Sequence, residues 1–281
     1  MRVRPVIGWG IFFLLIAVIV NYLPSGLGGF YFIKGKGLAT SGNHQAAVQA
    51  YQQAISSDPK FARTYVELGT SYLALEKYSE AEAAFKQATA LDDDSCASCG
   101  LGMVYHRQGR ENEAAKALKK AISLNPNDTC PYDQLGRMYY DLGQYTESIE
   151  AFRLEIKLQP SSVAYHFLGN CYYFTEKFDD AVAAYQEAIR LTPNYEEAYI
   201  ELGKVYNRLG RHADAIDAYQ HALKIQPDDV IAHEGLGFTE FKQGNKDAAI
   251  RQYRILRDLD PKCAERLLRE INAQQSYDLT H

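Results

Sequence analysis

Cysteine is the residue type with the most chemistry to offer in this chain, and Cys96, Cys99 and Cys130 are three of its five. A Cys-x-x-Cys at a helix start, here Cys96-Ala-Ser-Cys99, can lower a thiol pKa and support redox chemistry. Together with Met103 and His106, three thiols would suit a soft metal ion. Against this, the sequence has no second Cys-x-x-Cys and no paired histidines at zinc spacing. Asp92, Asp93 and Asp94 stand just before the pair, and their charge disfavours a thiolate. His106 follows Cys96 by ten residues, which is about 15 Å along a helix. The same residues also read as a simple disulfide or as small packing groups.

Other chemical look-alikes are weaker. Gly100-Leu-Gly102 and Gly235-Leu-Gly237 imitate a phosphate loop, but no strand precedes either. His233-Glu234 lacks the second histidine of a zinc-protease helix. Asn127-Asp-Thr129 is a glycosylation sequon, relevant only to an exported chain in a eukaryote. No Ser, His and Asp set stands out as a triad. The expectation is a protein that is not an enzyme, with no catalytic residue, no metal site and no cofactor.

The elements that position these residues are read from the stretch Glu196 to Asp229. Tyr199, Leu202, Gly203 and Tyr206 fall at i, i+3, i+4 and i+7, one face of a helix that Gly210 ends. Ala215, Tyr219, Ala222 and Leu223 mark the apolar face of a second helix, which Pro227 stops. Gly203 and Ala215 let the two helices approach, and the tyrosines fill the space around that contact. One such hairpin cannot bury its own apolar surface and must stack on copies of itself.

The copies are present. The first-helix small residue recurs as Gly35, Gly69, Gly102, Gly136, Gly169, Gly203 and Gly237. Its second-helix partner recurs as Ala47, Ala81, Ala114, Ser148, Ala181, Ala215 and Ala249. Large residues follow at Tyr51, Phe85, Leu118, Phe152, Tyr185, Tyr219 and Tyr253. Pro59, Pro126, Pro160, Pro193, Pro227 and Pro261 close the units. This pattern resembles the tetratricopeptide-repeat (TPR) family and covers more than four fifths of the chain. The resemblance implies an all-α, right-handed α-solenoid of helix-turn-helix repeats. It places repeats at 28–61, 62–94, 95–128, 129–161, 162–195, 196–229 and 230–263, with a capping helix at 264–275 and a tail at 276–281.

In that family the first helices line the concave side, and positions 2, 5, 9 and 12 of each repeat point into it. Carried onto this sequence, those positions and their neighbours give a partner-binding groove of Met103, His106, Arg137, Tyr140, His166 and Asn170, continuing through Tyr173, Lys204, Arg208, Phe238 and Phe241. Cys96, Cys99 and Cys130 occupy positions 2, 5 and 2 of consecutive repeats. The subset of the family that grips the carboxylate tail of cytosolic chaperones needs Lys at position 5. Here that position holds Phe32, Val66, Cys99, Asp133, His166, Ile200 and Glu234, so that partner is not expected.

Before the repeats, residues 6–23 are apolar enough to read as a transmembrane signal-anchor helix, with Trp9 and Tyr22 near its ends. A cleaved signal peptide and a helix packed on the first repeat are the alternatives. Arg2 and Arg4 in the 1–5 tail favour a cytoplasmic N-terminus and exported repeats, periplasmic in a bacterium, behind a linker at 24–29. The net charge of −5 gives no reason to expect nucleic acid.

The function expected is a membrane-tethered scaffold or adaptor, an assembly factor, that binds a protein or peptide segment in its groove. One alternative is a redox protein or metallochaperone using Cys96, Cys99 and Cys130. The other is an accessory subunit of a membrane enzyme complex.

Overall fold

A computed structural model describes residues 26–278, with side chains to residue 272. Fifteen α-helices and no strand occur among the described residues. They are α1 (Gly26–Thr40), α2 (His44–Ser57), α3 (Ala62–Ala74), α4 (Tyr78–Leu91), α5 (Ser95–Arg107), α6 (Glu111–Leu124), α7 (Cys130–Asp141) and α8 (Tyr145–Leu158). Next come α9 (Ser162–Phe174), α10 (Phe178–Leu191), α11 (Glu196–Arg208), α12 (His212–Ile225), α13 (Val230–Lys242), α14 (Lys246–Leu259) and α15 (Pro261–Asp278). The chain forms two compact units, the first ending at Leu135 and the second starting at Gly136.

Within each unit, consecutive helices form hairpins, and successive hairpins stack as in an α-solenoid. In the first unit, Phe32, Tyr51, Ala54 and Leu68 share one buried cluster, and Ala81, Phe85 and Val104 form the next. In the second, Phe152, Ala164, Leu168 and Cys171 form one cluster, and Tyr185, Val205, Tyr219 and Leu236 belong to another. The small residues are required by these rings. A methyl at Gly69 would lie 2.8 Å from the Phe85 ring, and one at Gly203 would lie 2.7 Å from that of Tyr219.

The first helix of most hairpins ends in the same way. Gly109, Gly143, Gly210 and Gly244 have φ between 71° and 84°, and the next residue donates back to the helix, as Arg110 N does to Tyr105 O at 2.9 Å. This is a Schellman stop, which needs a left-handed residue just past the helix. Glu76 and Glu176 hold that position in their hairpins, at φ 57° and 58°.

Several expectations need correction. Helix α1 begins at Gly26, so residues 26–29 are helical, not linker. Pro261 opens α15, which is longer than the expected cap. The cause is Asp260, whose carboxylate accepts from Lys262 N at 2.9 Å and Cys263 N at 3.2 Å, while Pro at a first helical position gives up no needed donor.

The single-pass membrane topology, with cytoplasmic N-terminus and exported repeats, is also corrected. Among the described residues no helix is long and apolar enough to cross a membrane. The helices without Asp, Glu, Lys or Arg, α2 and α9, have 14 and 13 residues, about 20 Å against a hydrocarbon core of about 30 Å. The longest, α15, has 18 and carries Glu265, Arg266, Arg269 and Glu270. The stretch 6–23 lies outside the described residues.

Candidate functional site

In the first unit, the first-helix faces of α3 and α5 border a cavity of about 660 Å³. Val66, Thr70 and Leu73 of α3 line it with Cys96, Cys99 and Met103 of α5, and Cys130 at the start of α7 adds to the wall. Its lining is mostly apolar: Val66 and Leu73 pack against the cluster of Ala81, Phe85 and Val104, and the Phe85 ring forms part of the wall. Met103 is half-buried there. His106, one turn further along α5, is not among the lining residues; its Nδ1 lies 2.9 Å from Glu111 Oε2.

The cysteines are arranged differently from the Cys-x-x-Cys reading. Cys99 Sγ lies 2.6 Å from Cys130 Sγ, while Cys96 is exposed. The hydrogen bond with Cys130, reinforced by burial, pushes the Cys99 thiol up. Burial, then the carboxylates of Asp94 and Asp128, push Cys96 up as well. None of the described cysteines is in a disulfide. Among the described residues no group of three or more His, Cys, Asp and Glu side chains could hold a metal ion, so the soft-metal reading gains no support.

In the second unit, the expected groove residues fall into separate groups. Arg137 stacks its guanidinium over the Phe167 ring at 4.4 Å. His166 sits among Phe167, Tyr185 and Tyr195, with its Nε2 buried and unpartnered. Burial holds the His166 pKa down; Glu201 and Glu197 oppose that, and Lys204 and Arg137 reinforce it. Arg137, His166 and Lys204 are thus brought near one another. Lys204 pairs with Glu201 at 2.6 Å, and Asn170 Oδ1 accepts from the Tyr185 hydroxyl at 2.6 Å. Arg208 Nε donates to the Tyr173 hydroxyl at 3.2 Å.

The aromatic positions are tied into packing. Tyr140 contacts Tyr145, Phe167 and Phe174 at centroid distances of 5.8, 5.6 and 6.0 Å, and burial pushes its hydroxyl up to about 12. Phe238 and Phe241 pack against the cluster of Ala249, Leu256, Ala264, Leu267 and Ile271.

The sequence look-alikes find structural uses. A methyl at Gly100 would lie 2.4 Å from the Phe85 ring, and one at Gly235 would lie 2.5 Å from Tyr219. These glycines therefore let a first helix close on the ring of the preceding hairpin. His233 is buried, with its ring nitrogens 2.7 Å from Gln252 Oε1 and 2.8 Å from Pro227 O. Tyr65 and Tyr132 make the matching bond to Pro59 O and Pro126 O, each at 3.2 Å. His233 thus takes a tyrosine's place.

This arrangement of stacked hairpins, with a side-chain-lined cavity in the first unit, defines an all-α solenoid of helical repeats. The family model described as "Cilia and flagella-associated protein 70 C-terminal domain", a TPR domain, matches residues 26–176, more than half of the chain, and a tetratricopeptide-repeat model matches residues 168–230. The chain belongs to the tetratricopeptide-repeat family, through that domain. It is similar to anaphase-promoting complex subunit 3 of Schizosaccharomyces pombe, with 32% identity over 84 residues, which are 30% of this chain and 13% of that protein. The match thus spans about one eighth of the curated relative's length. Among solved structures, MamA is 30% identical with a TM-score of 0.56, covering 59% of this chain and 97% of that one. The C-terminal part of a TPR repeat-containing protein from Cytophaga hutchinsonii is 18% identical with a TM-score of 0.69, covering 84% of this chain and 99% of that one. That last likeness is one of fold.

Proposed function

We propose that this chain is a scaffold that binds a peptide segment of a partner protein on its first-helix faces, serving the assembly of a multiprotein complex. The observation that carries the reading is the cavity walled by Val66, Thr70, Leu73 and Met103. Its volume of about 660 Å³ is in the range of ligand pockets, and room for a few apolar side chains is what a helix or extended segment needs to anchor. Met103 gives the wall an adaptable surface. In the second unit, Arg137, Lys204 and Arg208 orient carboxylates of a partner, with His166 and Asn170 supplying polar contacts beside them. Tyr173 positions Arg208 through their hydrogen bond. Tyr140, Phe238 and Phe241 act by holding these faces in shape. The fission-yeast relative is, by its name, a complex subunit, which supports a scaffolding role.

Thr70 is exposed at the cavity, so Thr70→Arg fills the space without disturbing the hairpin core. Peptides selected from a random display library on the full chain are expected to lose affinity for this variant by about tenfold or more. Equal affinity for both proteins, with the fold intact by circular dichroism, would refute the reading.

A further inference from the structure

Two thiols from different hairpins meet on the cavity wall. Cys99, on α5, is only 2% exposed, and Cys130, the first residue of α7, is exposed; their sulfurs lie 2.6 Å apart. The contact joins residues 31 apart in sequence. Cys96 is on the same wall but has no comparable sulfur contact among those described. We propose that Cys99 and Cys130 form a redox-sensitive staple between the two hairpins, closed by a small-molecule disulfide such as oxidised glutathione.

The chemistry divides by access. Cys130 is reachable from solvent, and that access makes its sulfur the one a dissolved disulfide meets first. Its thiolate attacks one sulfur of glutathione disulfide, and the glutathione thiolate expelled takes up a proton. Cys99, buried and with its thiol pushed up by Cys130 and by burial, is a poor first nucleophile. It resolves the mixed disulfide instead: Cys99 loses its proton to solvent, attacks the Cys130 sulfur and releases the second glutathione. The chain loses two electrons and two protons, and one glutathione disulfide becomes two thiols. The product replaces two hydrogen-bonded thiols on the cavity wall by one covalent bond between α5 and α7.

The test uses the full chain, equilibrated in glutathione buffers from reducing to oxidising, then alkylated, digested and analysed by mass spectrometry. The expected product is a peptide cross-linked through Cys99 and Cys130, two hydrogens lighter than the sum of its parts, with Cys96, Cys171 and Cys263 alkylated. Cys96→Ser is expected to leave that yield unchanged, and Cys99→Ser to stop at a glutathione adduct on Cys130. A link between Cys96 and Cys99 in the wild-type chain would overturn the proposal. So would a stable glutathione adduct on Cys130 with Cys99 still alkylated.

Discussion

Single residues carry the contacts between hairpins, and their roles are steric before they are chemical. Tyr219 lies against Gly203 of its own hairpin and Gly235 of the next. Gly203→Ala puts a methyl 2.7 Å from that fully packed ring, so either the ring or the helix must move. We expect a loss of about 1–3 kcal/mol, read as a lower midpoint in chemical denaturation. Glu196 tests electrostatics at the same scale. Burial, followed by the charges of Asp229 and Glu197, raises its pKa to about 7. The folded chain therefore holds a proton that the unfolded chain releases near the ordinary carboxylate value. Stability from this group is fully present below that value and is lost as pH rises towards about 7. Between those limits, the wild-type melting temperature should fall relative to that of Glu196→Gln; parallel profiles would show that the carboxyl is not shifted.

At the scale of elements, the turn after each first helix decides how cheaply a hairpin closes. Gly supplies the left-handed residue at 109, 143, 210 and 244, but Glu76 and Glu176 supply it at φ 57° and 58°. A side chain there costs about 1–2 kcal/mol relative to glycine. Glu76→Gly and Glu176→Gly should each raise stability by about 1 kcal/mol, after the larger unfolded-state entropy of glycine is subtracted. No gain in thermal unfolding would mean the two turns are held by other contacts. The sequence makes the hairpins legible because Gly and Ala recur where helices touch and large residues recur where space remains. The turn residues are less legible, since glutamate gives no warning of a positive φ. Pro261 misleads for a related reason: proline stops a helix from within but fits its first turn, and only the capping by Asp260 decides which applies.

For the molecule as a whole, what the sequence can and cannot reveal follows from the range of each interaction. Spacing within a repeat puts Met103 among the first-helix positions, and the structure sets it on one cavity wall with Val66, Thr70 and Leu73. Spacing does not show that Cys99 leaves its near neighbour Cys96 for Cys130, because that contact depends on how one hairpin stacks on the next. Nor does it show that Tyr140 is tied into an aromatic cluster, so Tyr140→Ala would report on stability as well as on binding. Thr70 avoids that ambiguity. The most direct test places a photoreactive benzophenone side chain at Thr70, on the cavity, and separately at Lys119, exposed on α6. Each full chain is illuminated with the tightest peptide from the display selection. The account predicts a cross-link from position 70 that disappears with Met103→Arg, and none from position 119. A cross-link from position 119 alone would contradict it.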